Sequence, residues 1–239
     1  MGRDDRRFDT VLFDLDGTLL PMDQDEFVHA YFRTLATTMA SLGYEPRELV
    51  DCVWAGTKAM ARNDGGRSNA EVFWEAFADV CGPRVLDDVG AFDSFYANEF
   101  AQVRSSCGYN PQAAASVRAI KASGMRVALA TNPIFPATAT EARVRWAGLE
   151  PDDFELVTTY ENSGYCKPNV RYFDDVARRL GCVPERTLMV GNDVAEDMVA
   201  EQTGMRVFLL TDCLINREDA DISDYPQGSF AELMGFVGV

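Results

Sequence analysis

The chain has 239 residues, 47% hydrophobic and 25% charged, with 38 acidic against 22 basic side chains and a net charge of −16. This ordinary globular composition excludes disordered, collagenous and coiled-coil chains, and the length suits one large domain or a domain carrying a sizeable insertion. The acidity excludes a general nucleic-acid binder, because no surplus of cations exists to displace phosphate counterions, and it argues equally against an anionic membrane surface.

The first residues, Met1-Gly2-Arg3-Asp4-Asp5-Arg6-Arg7, are too polar for a secretory leader, and no apolar run is long enough to span a bilayer. The six cysteines lie far apart with no C-x-x-C pair and read as reduced thiols, so a cytoplasmic protein is expected. The single histidine, His29, falls in a helical pattern and is read as a helix residue.

Residues 9–14 form a short apolar, β-rich run that ends at Gly17, which predicts a buried strand and a turn. Helix then follows helix at residues 25–42, 46–62, 70–80 and 87–103, with a polar, glycine-containing turn at 62–68. The aromatics of this block, among them Tyr31, Phe32, Trp54, Phe73, Trp74, Phe77, Phe95, Tyr96 and Phe100, are read as its own core. Beyond it, strands and helices alternate. Strands are expected at 126–131, 187–190 and 206–210, with a weaker one at 154–159. Helices are expected at 111–123, 137–147, 170–180 and 195–203, with a short terminal one at 229–236. Alternation of this kind predicts an α/β fold, a doubly wound parallel sheet covered on both faces, interrupted by an inserted helical bundle.

Parallel sheets bind ligands at the carboxyl ends of their strands. The first strand ends Asp14-Leu15-Asp16-Gly17-Thr18, the second ends Thr131-Asn132, a loop carries Lys167-Pro168, and another strand ends Gly191-Asn192-Asp193 with Asp197 beyond it. Carboxylates gathered at strand ends need a cation, and Mg²⁺ takes few carboxylates and completes its shell with water and substrate phosphate. Lys167 and Thr131 then suit phosphate oxygens. Asp14 is placed to attack phosphorus, and Asp16 to protonate the leaving oxygen and later activate water.

This constellation resembles the haloacid dehalogenase superfamily, in its phosphatase branch. Asp14-Leu15-Asp16-Gly17-Thr18 matches the first motif of that family, which implies Asp14 as nucleophile and Asp16 as acid/base. Thr131, with Asn132, matches the phosphate-binding second motif, Lys167 the third, and residues 191–197 the acidic magnesium motif. The resemblance implies a Rossmann-like core at residues 1–20 and 102–239, an inserted helical cap at 21–101, and Mg²⁺ held by Asp14, Asp16 through its backbone carbonyl, Asp193 and Asp197. The fourth motif commonly begins Gly-Asp in this family, and here Asn192 stands in that place. A carboxylate suits Mg²⁺ better, which favours Asp193 over Asn192. Asp16 argues for phosphate-ester chemistry, since dehalogenases need no leaving-group acid.

The expected activity is Mg²⁺-dependent hydrolysis of a small phosphate ester through an aspartyl-phosphate, by a monomer or homodimer with no nucleic-acid or membrane partner. A sugar phosphomutase on the same scaffold, and a phosphate-binding or signalling module without turnover, are the alternatives. The cap is expected to read the leaving group through Lys58, Arg62, Asn63 and Arg67, near the glycine turn.

Overall fold

The computed structural model describes residues 7–239, so the leading residues 1–6 and most of the polar stretch read above for a leader lie outside it. Five parallel strands form one sheet in the order β2-β1-β3-β4-β5, where β1 is Thr10–Phe13, β2 Arg126–Leu129, β3 Thr187–Gly191, β4 Arg206–Leu210 and β5 Gln227–Gly228. β1 pairs with β2 on one side and with β3 on the other, so the strand order reverses at β1. That reversal is the point at which open α/β sheets bind their ligands.

The strands are short and buried because both faces are covered. Val11 and Phe13 enter one apolar cluster and Leu12 the opposite one, as the two-residue repeat of a strand requires. Helices α5 (Pro111–Ala122), α6 (Ala137–Trp146), α7 (Val170–Leu180) and α8 (Phe230–Val237) accompany the sheet, and the contents of α5 and α7 fall in opposite clusters. The run at 154–159 lies beside β2, where Leu129 donates to Leu156 O and Thr158 donates back to Leu129 O. It forms only an isolated bridge there, at Val157, and is not a full strand. The expected helix at 195–203 is a shorter 3-10 turn, Met198–Thr203.

Between β1 and α5 the chain is helical, as expected: α1 (Gln24–Met39), α2 (Pro46–Ala61), α3 (Asn69–Cys81) and α4 (Val89–Ala97). Asp23 caps α1 through the Glu26 N–H, and Ser68 and Glu71 form a reciprocal capping box on α3. The single helix expected at 87–103 breaks at Asn98, whose amide donates to Ser94 O, and continues as 3-10 turns at Glu99–Ser106.

Two expectations change here. Cys52 on α2 and Cys81 at the end of α3 form a disulfide, their Cα atoms 5.8 Å apart, and are not reduced thiols. α2 and α3 pack side by side and bring together cysteines that lie 29 residues apart in sequence. The insertion's aromatics also do not make a closed core of their own. Phe100 stacks on Trp146 of α6 at 5.3 Å, and Tyr31 meets Phe135 at 5.4 Å, so insertion and sheet share one apolar cluster. Among the described residues no helix is long and apolar enough to cross a membrane.

Candidate active site

The loops leaving β1, β2 and β3 converge on a cavity of about 340 Å³, walled by Asp14, Asp16, Thr131, Asn132, Asn192, Asp193, Glu196 and Asp197 among others. Asp14 extends β1 by one residue, its N–H bonded to Val190 O at 2.9 Å, so the strand register fixes where its carboxylate stands. Gly17 has φ +84°, and a Cβ there would collide with the Asn192 side chain, so only glycine lets the loops after β1 and β3 approach this closely. Across that contact the Thr18 hydroxyl donates to Asn192 Oδ1 at 2.8 Å, and Asn192 Nδ2 donates to Cys213 O at 2.7 Å.

Lys167 reaches the site from the loop before α7, a helix capped by Asn169 through the Arg171 N–H. The lysine is fully buried, and its Nζ donates to Asp14 Oδ1 at 2.9 Å and to Asp197 Oδ1 at 2.6 Å. Burial opposes charge on Lys167, but the two carboxylates outweigh it and hold the ammonium protonated well above its ordinary range. Asp197 Oδ2 accepts the Asp193 N–H at 3.0 Å, so Asp197 is committed to holding Lys167 and its own loop.

Asp193 Oδ1 accepts the N–H groups of Ala195 and Glu196, at 2.8 and 3.0 Å. Asn132 Nδ2 donates to Glu196 Oε2 at 3.0 Å and ties the loop after β2 to the loop after β3. The Thr131 carbonyl accepts the hydroxyls of Thr158 and Tyr172, each at 2.8 Å, which fixes the residue above them.

Asp16 is held through Oδ2 by the guanidinium of Arg143, a fully buried residue of α6, while Asp16 Oδ1 is buried without a hydrogen-bond partner. Burial raises the Asp16 pKa against the smaller lowering effect of Arg143. Burial likewise pushes Glu196 up to about 7.

The structure thus brings together Asp14, Asp16, Thr131, Asn132, Lys167, Asp193 and Asp197. It does not bring in the four expected cap residues. Lys58 is exposed and does not line this cavity. Arg62, Asn63 and Arg67 surround a separate surface depression, where Arg67 pairs with Glu75. Their turn is a docking element: Gly65, at φ +89°, lies against the Tyr165 ring, and Asn63 Nδ2 donates to Arg67 O and to Asn69 Oδ1, both at 2.9 Å. The insertion instead supplies Gln24, Asp25, Phe27, Val28 and Trp54 to the cavity.

Sequence reasoning missed Arg143, Glu196 and Trp54. Arg143 carried a readable signal: it shares a face of α6 with buried Ala139, Thr140, Val144 and Ala147, at helical spacing. An arginine on a buried stripe needs a carboxylate partner.

The donors that line the cavity suit a hard cation, since their acidic groups offer only oxygen and outnumber the buried cations Lys167 and Arg143. Among the described residues no three His, Cys, Asp or Glu side chains stand together as a preformed cage.

Residues 8–200 match the family model of the haloacid dehalogenase-like hydrolases. The chain belongs to that family. It is therefore a hydrolase, as its site residues suggested. Over 231 residues it is 27% identical to the glyceraldehyde 3-phosphate phosphatase of Methanocaldococcus jannaschii, covering 95% of this chain and 96% of that one. A local match to the protein of the same name from Methanothermobacter thermautotrophicus is 42% identical over 66 residues, 27% of this chain and 29% of that one. Among solved structures, a phosphatase of the family from Thermococcus onnurineus superposes with a TM-score of 0.62 at 19% identity, over 97% of this chain and 98% of that one. At that identity the likeness speaks to the fold alone.

Proposed function

We propose that this hydrolase is a Mg²⁺-dependent phosphomonoesterase, a monomer or homodimer, which cleaves a small phosphorylated metabolite through a phosphorylated Asp14. The observation that carries the reading is the contact of buried Lys167 with Asp14 Oδ1, at a cavity whose wall also holds Asp16 two residues on. The domain division is a Rossmann-like core at residues 1–20 and 102–239 with a cap at 21–101.

In the first half-reaction an Asp14 oxygen attacks phosphorus, the bond from phosphorus to the ester oxygen breaks, and the Asp16 proton passes to that oxygen. The alcohol leaves. In the second half a water gives a proton to Asp16 as its oxygen attacks the phosphoryl group, which returns Asp14 as a carboxylate and releases inorganic phosphate. Burial favours the protonated form of Asp16 with which the cycle begins. Lys167 holds Asp14 in place and offers a positive charge beside it. The Thr131 hydroxyl and the Asn132 amide are the donors for the phosphate oxygens. Asp14, the Asp16 carbonyl and Asp193 are the groups that would hold Mg²⁺, and the ion when bound supplies positive charge that offsets repulsion between carboxylate and phosphate.

The test is turnover of p-nitrophenyl phosphate by purified protein with Mg²⁺, with EDTA, and by Asp14→Asn. Loss of turnover in the variant and in EDTA, with an unchanged melting curve for the variant, is expected. Undiminished activity of Asp14→Asn would sink the reading. A sugar phosphate that isomerises without releasing phosphate would instead favour the mutase. The name carried by the archaeal relatives makes glyceraldehyde 3-phosphate the first metabolite to assay.

A further inference from the structure

The part of the cavity wall not made by the acidic and polar loops is apolar: Met22, Phe27, Val28, Trp54, Ile134 and Phe135. Val28, Trp54, Ile134 and Phe135 also line a second cavity, of about 80 Å³, which is otherwise largely aromatic, with Tyr31, Phe73, Trp74 and Tyr96 in its wall. The two spaces therefore share one wall, and Trp54 stands in it 41% exposed. A large aromatic ring left open at the rim of a reactive cavity is surface that a ligand covers with gain.

Charge narrows the ligand further. Asp16, Asp25, Asp193 and Glu196 line the reactive cavity with Asp14 and Asp197, and its only cationic lining residue among those described is Arg217. That arginine is exposed and donates to Gln24 Oε1 at 3.2 Å. The insertion's cations expected to meet a second anion, Lys58, Arg62 and Arg67, do not line the cavity. One phosphate has Lys167 behind Asp14, whereas a second anionic group on the alcohol would lie among carboxylates.

We propose that the substrate is a phosphate monoester whose alcohol is uncharged and carries an apolar body, aromatic or aliphatic, seated against Trp54 and Phe135. The proposal rests on the phosphatase reading above. It names what that reading leaves open, the chemistry of the leaving group.

The experiment compares kcat/KM for four esters of alcohols, benzyl phosphate, glycerol 3-phosphate, glyceraldehyde 3-phosphate and 2-phosphoglycolate, on the full chain with Mg²⁺. All leave as alkoxide-type groups, so the comparison reads recognition more than leaving ability. Benzyl phosphate is expected to lead and 2-phosphoglycolate to come last. In Trp54→Ala the ratio of benzyl to glycerol ester should fall by about tenfold or more. Trp54→Phe, which keeps an apolar ring, should hold most of it. Lys58→Ala, on the same helix but off the cavity, should leave the ratio unchanged.

A lead for 2-phosphoglycolate, or an equal loss on all four esters in Trp54→Ala with a normal melting curve, overturns the proposal. So does a lead for glyceraldehyde 3-phosphate with a ratio insensitive to Trp54. Asp14→Asn separates the two readings. If it still turns over these esters the phosphatase reading fails, and if it is dead while the order is reversed only the leaving-group inference fails.

Discussion

The guanidinium of Arg143 grips Asp16 by Oδ2 and leaves Oδ1 buried and unbonded. The arginine is itself fixed, its Cζ 4.4 Å from the centroid of the Phe135 ring. A buried carboxyl oxygen without a partner costs about 1–3 kcal/mol, a cost relieved when a leaving-group oxygen arrives to share its proton. If Asp16 is the acid, as proposed, Arg143 is its positioning residue. Arg143→Lys keeps the charge but loses the planar fork. Its kcat is expected to fall by about 10²-fold on alkyl phosphates, the usual scale of general acid catalysis. On p-nitrophenyl phosphate, whose leaving group needs no proton, the fall should be much smaller. Equal losses on both would show that Arg143 acts otherwise than through Asp16.

Lys167 neutralises two buried carboxylates at once. Its replacement by methionine leaves Asp14 and Asp197 without a counter-charge, which should cost about 3–5 kcal/mol of stability as well as activity. Urea denaturation measures the loss. Adding Asp197→Asn should restore part of that stability and none of the turnover. Unchanged urea midpoints for Lys167→Met would contradict the charge balance described here.

The disulfide between Cys52 and Cys81 leaves four free thiols, on Cys107, Cys166, Cys182 and Cys213. Thiol titration in denaturant without reductant should count those four. Closing a loop of 29 residues is worth about 3–4 kcal/mol through the unfolded chain. Cys52→Ser should lower stability by up to that amount, and reductant should lower the wild type equally while leaving the variant alone.

Burial raises the phenols of Tyr31 and Tyr44 to about 12, with Asp88 adding to the effect on Tyr44. The ordinary value is about 10, so between these values the unfolded chain has lost protons that the folded one retains. These tyrosines therefore contribute stability that is fully present below pH of about 10 and is lost as pH rises through about 12. Urea midpoints should fall across that window, and phenolate absorbance should rise together with unfolding. A midpoint that stays flat there would remove the assignment.

The strand ends were legible because chemistry and periodicity coincide in them: a fully buried run ends in Asp14 and Asp16, with a glycine that the close approach of Asn192 demands. The helical insertion was legible as well, since its apolar repeats are long. The two-residue β5 is too short to carry a pattern of its own and exists by pairing with β4, while the weaker run at 154–159 reaches only a single bridge at Val157. The polar turn at 62–68 misled for a physical reason. Asparagine, glycine and arginine serve equally well to grip a ligand or to seat one part of a protein on another, and only the position of Tyr165 and Ser163 decides which. Trp54 was assigned to the core because burial on a helix face is the common fate of tryptophan, whereas here it stands on the cavity wall.

Fully buried Asn69, at the start of α3, donates to Pro133 O and Cys166 Sγ and accepts from Asn63, while its own N–H donates to Ser163 O. Pro133 follows Thr131 and Asn132 in the loop after β2, and Cys166 precedes Lys167. The partners on the core side are main-chain oxygens and one sulfur, so they survive most changes of side chain. Exposed positions of the insertion can therefore change while the Asn69 amide, together with the shared apolar cluster, keeps the insertion in register with the loop after β2 and the segment that carries Lys167.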